Sequence, residues 1–483
     1  GLAEGVVKEA RDRVKSAIRN SGFHYPTNHI TLNLAPSHLT KSGTAFDLPI
    51  AIAILAASEQ IPTDALVDTE FVGELSLFGD LRETSNLLAS AIACDSANHR
   101  LFLPLANDTE IALVGSDKSW PATSLYEVAQ MLCGRREQPP MVKAIAPDAA
   151  TTTGRFNEII GQYQAKRALT IAAAGGHHML MVGPPGTGKT MLAECLIDLL
   201  PDLDKPDALS VASIYSAFGM RRSNVMRPPL RRPHHSASNA SISGGGHTPT
   251  PGEVSLAHRG VLFLDELPHF KPSTLDLLRE PIETGEIAIV RARYRTVLPS
   301  RFQLIAAMNP CPAGRSCKEQ TCRCTSGQVQ RYQSRVSGPL LDRIDLHVPV
   351  PELDEALMQR HQNEVESDQG ELQRTRTNVS LAQRRQRQQQ GCLNANLSSE
   401  ALARRINEAD FAPTFLADVC KKLELSMRSY HKVWRVALTI ADLEQAASPP
   451  APGSQPEGVS TAVTEQHFME ALSYRTMTLG GER

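Results

Sequence analysis

The sequence predicts an α/β protein with a mixed N-terminal unit, a parallel-sheet core and a helical C-terminal region, and three observations carry that prediction. Short apolar runs at His178–Val182, Gly260–Leu264 and Phe302–Ala307 each give way to glycine or a polar residue, as parallel strands covered on both faces do. The first run leads into Gly183-Pro184-Pro185-Gly186-Thr187-Gly188-Lys189-Thr190, a complete G-x-x-x-x-G-K-[ST] loop between a strand and a helix. From Val379 onward the spacing turns helical, with Val433, Val436, Ala437 and Ile440 on one face.

Taken in order, the chain opens at Gly1 rather than Met, and Val6, Val7, Ala10, Val14 and Ala17 follow at helical spacing. No basic stretch with an apolar core marks a signal peptide, so a cytoplasmic location is the default expectation, as is a chain lacking an initial strand or two. Ile30–Leu34 alternates as a half-buried strand, Asp47–Ala57 reads as an apolar helix, and Phe71–Leu75 and Arg100–Pro104 read as strands. Residues 1–133 are therefore one mixed domain. Pro, Ala and Thr without periodicity make 134–155 a linker, 156–365 is the core, and 366–483 is helical, with a Pro-rich loop at 447–459 and a last helix over Thr464–Tyr474.

A length of 483 residues suits two to four domains, and 41% hydrophobic with 21% charged residues suits a globular chain. The net charge of -2 excludes a polybasic coat protein, and no apolar run reaches the ~18 residues needed to span a bilayer, so no membrane partner is expected. Four of the nine cysteines, Cys311, Cys317, Cys322 and Cys324, fall in one short segment.

The glycines of the 183–190 loop let backbone N–H groups turn around phosphate oxygens at a helix N-terminus. Lys189 is positioned for the β- and γ-phosphates, and Thr190 for Mg²⁺. ATP and Mg²⁺ are the cofactors this implies. Leu262-Phe263-Leu264-Asp265-Glu266 delivers two carboxylates at the end of an apolar run, Asp265 for magnesium and Glu266 to polarise the attacking water. Asn309, after the third run, suits orientation of that water.

Several longer blocks, Arg231-Arg232-Pro233-His234-His235, Gly244-Gly245-Gly246, Pro251 to Pro268, Ala306 to Pro312 and Ser337 to Asp345, resemble the magnesium-chelatase-like branch of AAA+ ATPases that contains the ComM/YifB family, over nearly the whole chain. The resemblance implies a P-loop core with a helical lid, and a homo-hexameric ring that hydrolyses ATP at subunit interfaces and translocates on DNA. It implies a helicase that promotes branch migration on single-stranded and branched DNA during recombination in natural transformation. It adds Ile160 and Gly161 to the nucleotide contacts, makes Arg343 the arginine finger for a neighbouring subunit's γ-phosphate, and makes Arg428 the sensor-2 residue, with Arg435 its rival. A salt bridge from Arg343 to Asp342 or Asp345 is the structural alternative.

In the same branch a hairpin before Asn309 projects into the pore. Ile287–Val297 has β-like flanks around Arg291, Arg293 and Arg295, whose backbone phosphate contacts would give affinity without sequence readout. Ser236–Thr250 is a second pore element. The basic stretch Arg374, Arg376, Arg384, Arg385 and Arg387 either tracks DNA or is a solvated helix face. The four clustered thiols match tetrahedral zinc, although their C-x5-C-x4-C-x-C spacing lacks the usual C-x-x-C pair; family members carry a cysteine where this chain has Ala313.

The N-terminal unit resembles the Lon proteolytic domain, but Ala45 falls at the nucleophile and Leu88 near the lysine of its Ser-Lys dyad, so it is expected to be proteolytically inactive even with Ser42 and Lys41 nearby. Two other functions stay open: a remodelling ATPase acting on a protein partner, and a Lon-like ATP-dependent protease.

Overall fold

A computed structural model describes residues 5–35, 44–137, 155–159, 161–220, 222, 224–245, 250–291, 294–314, 324–352, 370–407, 426–447 and 462–475. The chain divides into two compact units, residues 1–149 with 205–225, and residues 150–204 with 226–483. The segment 205–225 lies inside the span assigned by sequence to the core, yet it packs with the first unit.

In the first unit, α1 (Gly5–Asn20) and α2 (Asp47–Ala57) pack beside a three-stranded parallel sheet of β1 (Thr69–Phe71), β2 (Arg100–Pro104) and β3 (Ser119–Ala122), in the order β1-β2-β3. Asp47 begins α2 and is held by Arg13 at 2.7 and 3.1 Å and by the Leu75 N–H at 3.3 Å, a buried carboxylate with charged and backbone donors. Its core is Val14, Ala17, Ile18, Leu48, Leu55, Phe102 and Leu125. A second cluster joins Leu87 and Leu88 of α3 (Leu87–Ala97) and Leu103 of β2 to Ala212 of the helix Lys205–Ser216, while α4 (Leu125–Leu132) packs against α2.

Two expectations fail here. Ile30–Leu34 forms no strand; Ile30 and Leu32 are 36% and 41% exposed. Alternation suits a strand only where a sheet edge can accept its N–H and C=O groups, and among the described residues none pairs with it. The run Phe71–Leu75 is broken at Gly73: its first part is β1, while Glu74–Leu75 pairs in a hairpin with Leu81–Arg82. A Cβ on Gly73 would lie 2.8 Å from Leu81 Cδ2, so a larger residue at the break would have to displace the end of that leucine side chain.

The second unit is a five-stranded parallel sheet. Its strands are β4 (Met179–Val182), β5 (Leu230–Arg231), β6 (Val261–Leu264), β9 (Gln303–Met308) and β10 (Leu346–Pro349), in the order β10-β4-β9-β6-β5; β7 (Glu286–Arg291) and β8 (Tyr294–Pro299) form a separate antiparallel hairpin. β4, β6 and β9 are buried at every residue, which is why they read as unbroken apolar runs. α5 (Tyr163–Gly175) and α6 (Lys189–Leu199) pack on the sheet, followed by α7 (Arg279–Thr284). The buried Gln303 amide donates to the Ala172 and His177 carbonyls at 2.9 and 2.8 Å, satisfying the end of α5.

The helical region comprises α8 (Glu371–Gln390), α9 (Met427–Ala447) and α10 (Glu465–Ser473). Val433, Val436, Ala437 and Ile440 are buried with Trp434 and Phe468 in the main core, as their spacing predicted. Thr464 caps α10 in a capping box with His467. On α8, Arg376 pairs with Asp202 at 3.3 Å and Arg387 with Asp204 at 3.7 Å, so part of the basic stretch is used within the unit.

Candidate active site

Parallel strands converge their C-terminal ends on one edge, and the loops leaving β4, β6 and β9 meet there. The phosphate loop is fixed at its start. Gly183 N–H donates to the Met308 carbonyl at 3.2 Å, and a Cβ on Gly183 would lie 2.1 Å from the Val350 oxygen. Gly186 and Gly188 take φ of +82° and +84°, a conformation that L side chains rarely adopt, and this turns the loop into the first turn of α6.

Lys189 is buried and donates to the Gly183 and Pro184 carbonyls at 2.8 and 2.6 Å and to Asn309 Oδ1 at 3.3 Å. Burial lowers its pKa, and Asp265 opposes that shift. Thr190 Oγ1 donates to Asp265 Oδ2 at 2.8 Å, bringing two oxygen ligands of the hard-cation type together across 75 positions of sequence. The loop, Asn309, Thr190 and Asp265 are therefore assembled in one place.

Glu266 has φ of +53° just past the end of β6, the left-handed region in a residue other than glycine. Its carboxylate lies 3.2 Å from His235 Nδ1, a partner that no local sequence motif points to. His235 stacks near His234 and His269, with ring centroids at 4.1 and 5.8 Å. The preceding arginines explain how that segment is held: Arg231 makes a two-pronged bond to Glu253 at 2.6 and 2.8 Å, and Arg232 reaches Glu194 on α6 at 2.6 Å. The motif Arg231–His235 thus ties the phosphate-loop helix to the Glu266 carboxylate.

Arg343 pairs neither with Asp342 nor with Asp345. It reaches Glu283 at 2.7 Å and the Pro339 carbonyl at 2.7 Å, and its side chain is only 11% exposed. Arg428 reaches the same Glu283 oxygen. Its rival Arg435 turns inward to the Leu397 carbonyl at 2.7 Å. Burial lowers the Arg435 pKa. The two sensor-2 candidates therefore make different contacts, Arg428 at the Glu283 carboxylate and Arg435 at a backbone carbonyl.

Beneath this arginine pair lies a buried ionic network. Lys432 Nζ donates to Asp345 Oδ1 at 2.7 Å and to the Arg343 carbonyl at 2.6 Å, and His178 N–H donates to Asp345 Oδ2 at 3.1 Å. Burial alone pushes the Asp345 pKa up, but Lys432 and then His177 carry it well below the usual carboxylate range. Neither Glu283 nor Lys432 carries a local sequence signal, since their partners lie 60 to 145 positions away in the chain.

Other candidate residues fall partly outside the described structure. Gly161 is buried ahead of α5, but Ile160 lies outside the described residues. β7 and β8 pair from Glu286↔Pro299 to Arg291↔Tyr294, so Arg291 and Arg295 lie on the two strands next to the connection; Arg293 lies outside. Residues 246–249 of the second pore element lie outside as well. Cys311 is buried and Cys324 half-buried, while Cys317 and Cys322 lie outside; among the described residues no group of three or more His, Cys, Asp or Glu side chains is arranged to hold a metal.

In the first unit, the Ala45 carbonyl accepts from Gly73 N–H at 3.0 Å and Leu88 is fully buried, while Lys41 and Ser42 lie outside the described residues. No helix of the described residues is long and apolar enough to cross a membrane.

Comparison with known proteins accounts for this arrangement. Residues 155–358 match the family described as magnesium chelatase, subunit ChlI, residues 1–107 match subunit ChlI of Mg-chelatase, and residues 371–453 match the ChlI C-terminal region. The chain is 43% identical to Competence protein ComM of Haemophilus influenzae and 42% identical to Uncharacterized protein YifB of Escherichia coli, in both cases over 99% of this chain and 91% of the relative. It is 29% identical to the Magnesium-chelatase 38 kDa subunit of Rhodobacter capsulatus over 32% of this chain and 50% of that protein.

Proposed function

The chain belongs to the magnesium-chelatase-like family of AAA+ ATPases that includes ComM and YifB, and from that premise we propose that it is a DNA-translocating motor that drives branch migration during recombination of incoming DNA. The observation that carries the ATPase part is the meeting of Lys189, Thr190, Asp265 and Asn309 at the end of one parallel sheet. Lys189, now satisfied by neutral carbonyls, exchanges them for the more strongly bound oxygens of a triphosphate. Thr190 and Asp265 offer an all-oxygen set that fits Mg²⁺, which when bound neutralises charge on the phosphates. Glu266 polarises the attacking water once His235 yields its carboxylate, and Asn309 orients that water.

Arg343 completes the site of a neighbouring copy, with Arg428 beside it, so the working form is a ring, a homo-hexamer in this reading. The name of the Haemophilus relative connects that protein with competence, which supports a role in recombination of incoming DNA here. The DNA part rests on the β7–β8 hairpin, whose strands carry Arg291 and Arg295, with Arg293 between them in sequence. Replacing all three by alanine is expected to reduce the slope of log affinity against log salt by about two to three, read by fluorescence anisotropy on single-stranded and forked DNA. A structural zinc on Cys311, Cys317, Cys322 and Cys324 belongs to the same reading, since four thiolates suit that ion, and metal analysis of the purified chain tests it.

The direct test is branch migration of a four-way junction by the parent chain and by Glu266→Gln. ATP-dependent migration that the substitution abolishes supports the motor; hydrolysis that no DNA stimulates, with no migration, favours a remodelling ATPase acting on a protein.

A further inference from the structure

Segments far apart in sequence converge on one carboxylate. Glu283, in the last turn of α7, accepts through a single oxygen from Arg343 Nη2 at 2.7 Å and from Arg428 Nη2. Slight burial works against ionisation of Glu283, yet Arg343 and then Arg428 hold its pKa below the ordinary value. The two arginines are held differently. Arg343 is drawn inward: Nη1 is spent on the Pro339 carbonyl, Nε is buried with no hydrogen-bond partner, and its own carbonyl is held by Lys432. The next carbonyl, of Ile344, accepts from Arg475. Arg428 is 48% exposed and Glu283 43%, against 11% for Arg343, so the carboxylate sits at the rim and covers the inner guanidinium.

A largely buried arginine whose charged partner is a surface carboxylate is a preformed anion site already filled by its own chain. Phosphate oxygens bind a guanidinium fork through the same paired geometry as a carboxylate and carry more charge. We propose that Glu283 is an internal stand-in for an anion supplied by a second copy of this chain: the terminal phosphate of a nucleotide in that copy's phosphate loop displaces the Glu283 carboxylate from Arg343 and Arg428. The inference rests on the ATPase reading above. In an isolated subunit Glu283 holds the two arginines out of use, and assembly on a triphosphate-bearing neighbour has to break that contact. Glu283 touches no reacting atom in this scheme; it is a positioning residue that sets how much subunit and nucleotide are needed before hydrolysis begins.

The test uses the full chain with Glu283→Gln, which keeps the shape and hydrogen-bonding capacity of the side chain but removes its charge, and with Glu283→Ala. Hydrolysis of Mg-ATP is measured against subunit concentration, and assembly in ATPγS is followed in parallel by mass photometry, which reads the contact without turnover. The subunit concentration at half-maximal assembly and hydrolysis is expected to fall about fivefold in Glu283→Gln, and in the same direction in Glu283→Ala. A midpoint that is unchanged or raised in Glu283→Gln, with its thermal melt intact, overturns the proposal, because a carboxylate that merely aligned the arginines would be missed rather than competed with. A parent chain that hydrolyses no ATP at any concentration, or one whose hydrolysis survives Arg343→Ala, sinks the ATPase reading or the finger instead; the ATPγS midpoint still decides the role of Glu283.

Discussion

Lys189 and Arg343 are cations of the same unit, the first buried and the second largely so, and they are satisfied in opposite ways. Lys189 rests on two carbonyls of its own loop and on the Asn309 amide oxygen, all neutral. Arg343 rests on a carboxylate, Glu283, which a second arginine shares. Neutral acceptors give way readily to phosphate, whereas a charged one competes with it. The difference separates a site ready for its ligand from a site that must first be released. The backbones differ too: the phosphate loop is pinned by strand ends, while the 343–345 turn hangs on lid side chains, Lys432 and Arg475.

Changes at the two cations break the comparison most severely. Lys189→Ala and Arg343→Ala are each expected to reduce ATP turnover by about 10³-fold or more, but Lys189→Ala also loses nucleotide binding while Arg343→Ala keeps it, as nucleotide titration of each variant shows. A smaller but large effect is expected beneath the arginines. Asp345→Ala leaves the Lys432 ammonium buried without its carboxylate and is expected to cost about 3–5 kcal/mol in chemical denaturation, whereas Thr190→Ala, which removes one hydrogen bond at the phosphate loop, costs about 1 kcal/mol.

Acid sharpens the contrast more gently. His178, beside Asp345, and His347, beside Arg475, are each pushed down to about 4, by burial first, and His258 likewise. An unfolded histidine titrates near 6.5, so between about pH 6.5 and 4 the unfolded chain binds more protons than the folded one. Stability is then lost as pH falls through that window, by up to about 1.4 kcal/mol per pH unit for each histidine. Thermal melts from pH 7 to 4.5 check this, and a flat profile would contradict neutral rings at these three positions.

The same contrast explains what could be read from the sequence. The phosphate loop is contiguous, and Asp265 and Glu266 follow an apolar strand, so covalent neighbourhood carries their chemistry. Asp47–Ala57 and β2 are legible as unbroken apolar runs because they are buried almost throughout, and the stripe on α9 because one-sided burial imposes a helical period on it. The Glu283 contact joins α7, the 343 turn and α9, and no local pattern announces a partner 60 or 145 positions away. His235 lies inside the Arg231–His235 motif, yet only the fold brings it to Glu266. Ile30–Leu34 fails for the complementary reason: its alternation satisfied a strand's side chains while leaving its backbone without a sheet edge.

The claim that ATP is hydrolysed between copies of the chain meets its most direct test in a mixture of Lys189→Ala and Arg343→Ala. Each is expected to be inactive alone. Mixed in equal amounts, an Arg343→Ala copy supplies an intact phosphate loop and a Lys189→Ala neighbour an intact arginine, so about a quarter of randomly formed interfaces regain both halves and hydrolysis returns in proportion. A mixture that assembles yet stays silent, or Arg343→Ala turning over ATP by itself, would contradict it.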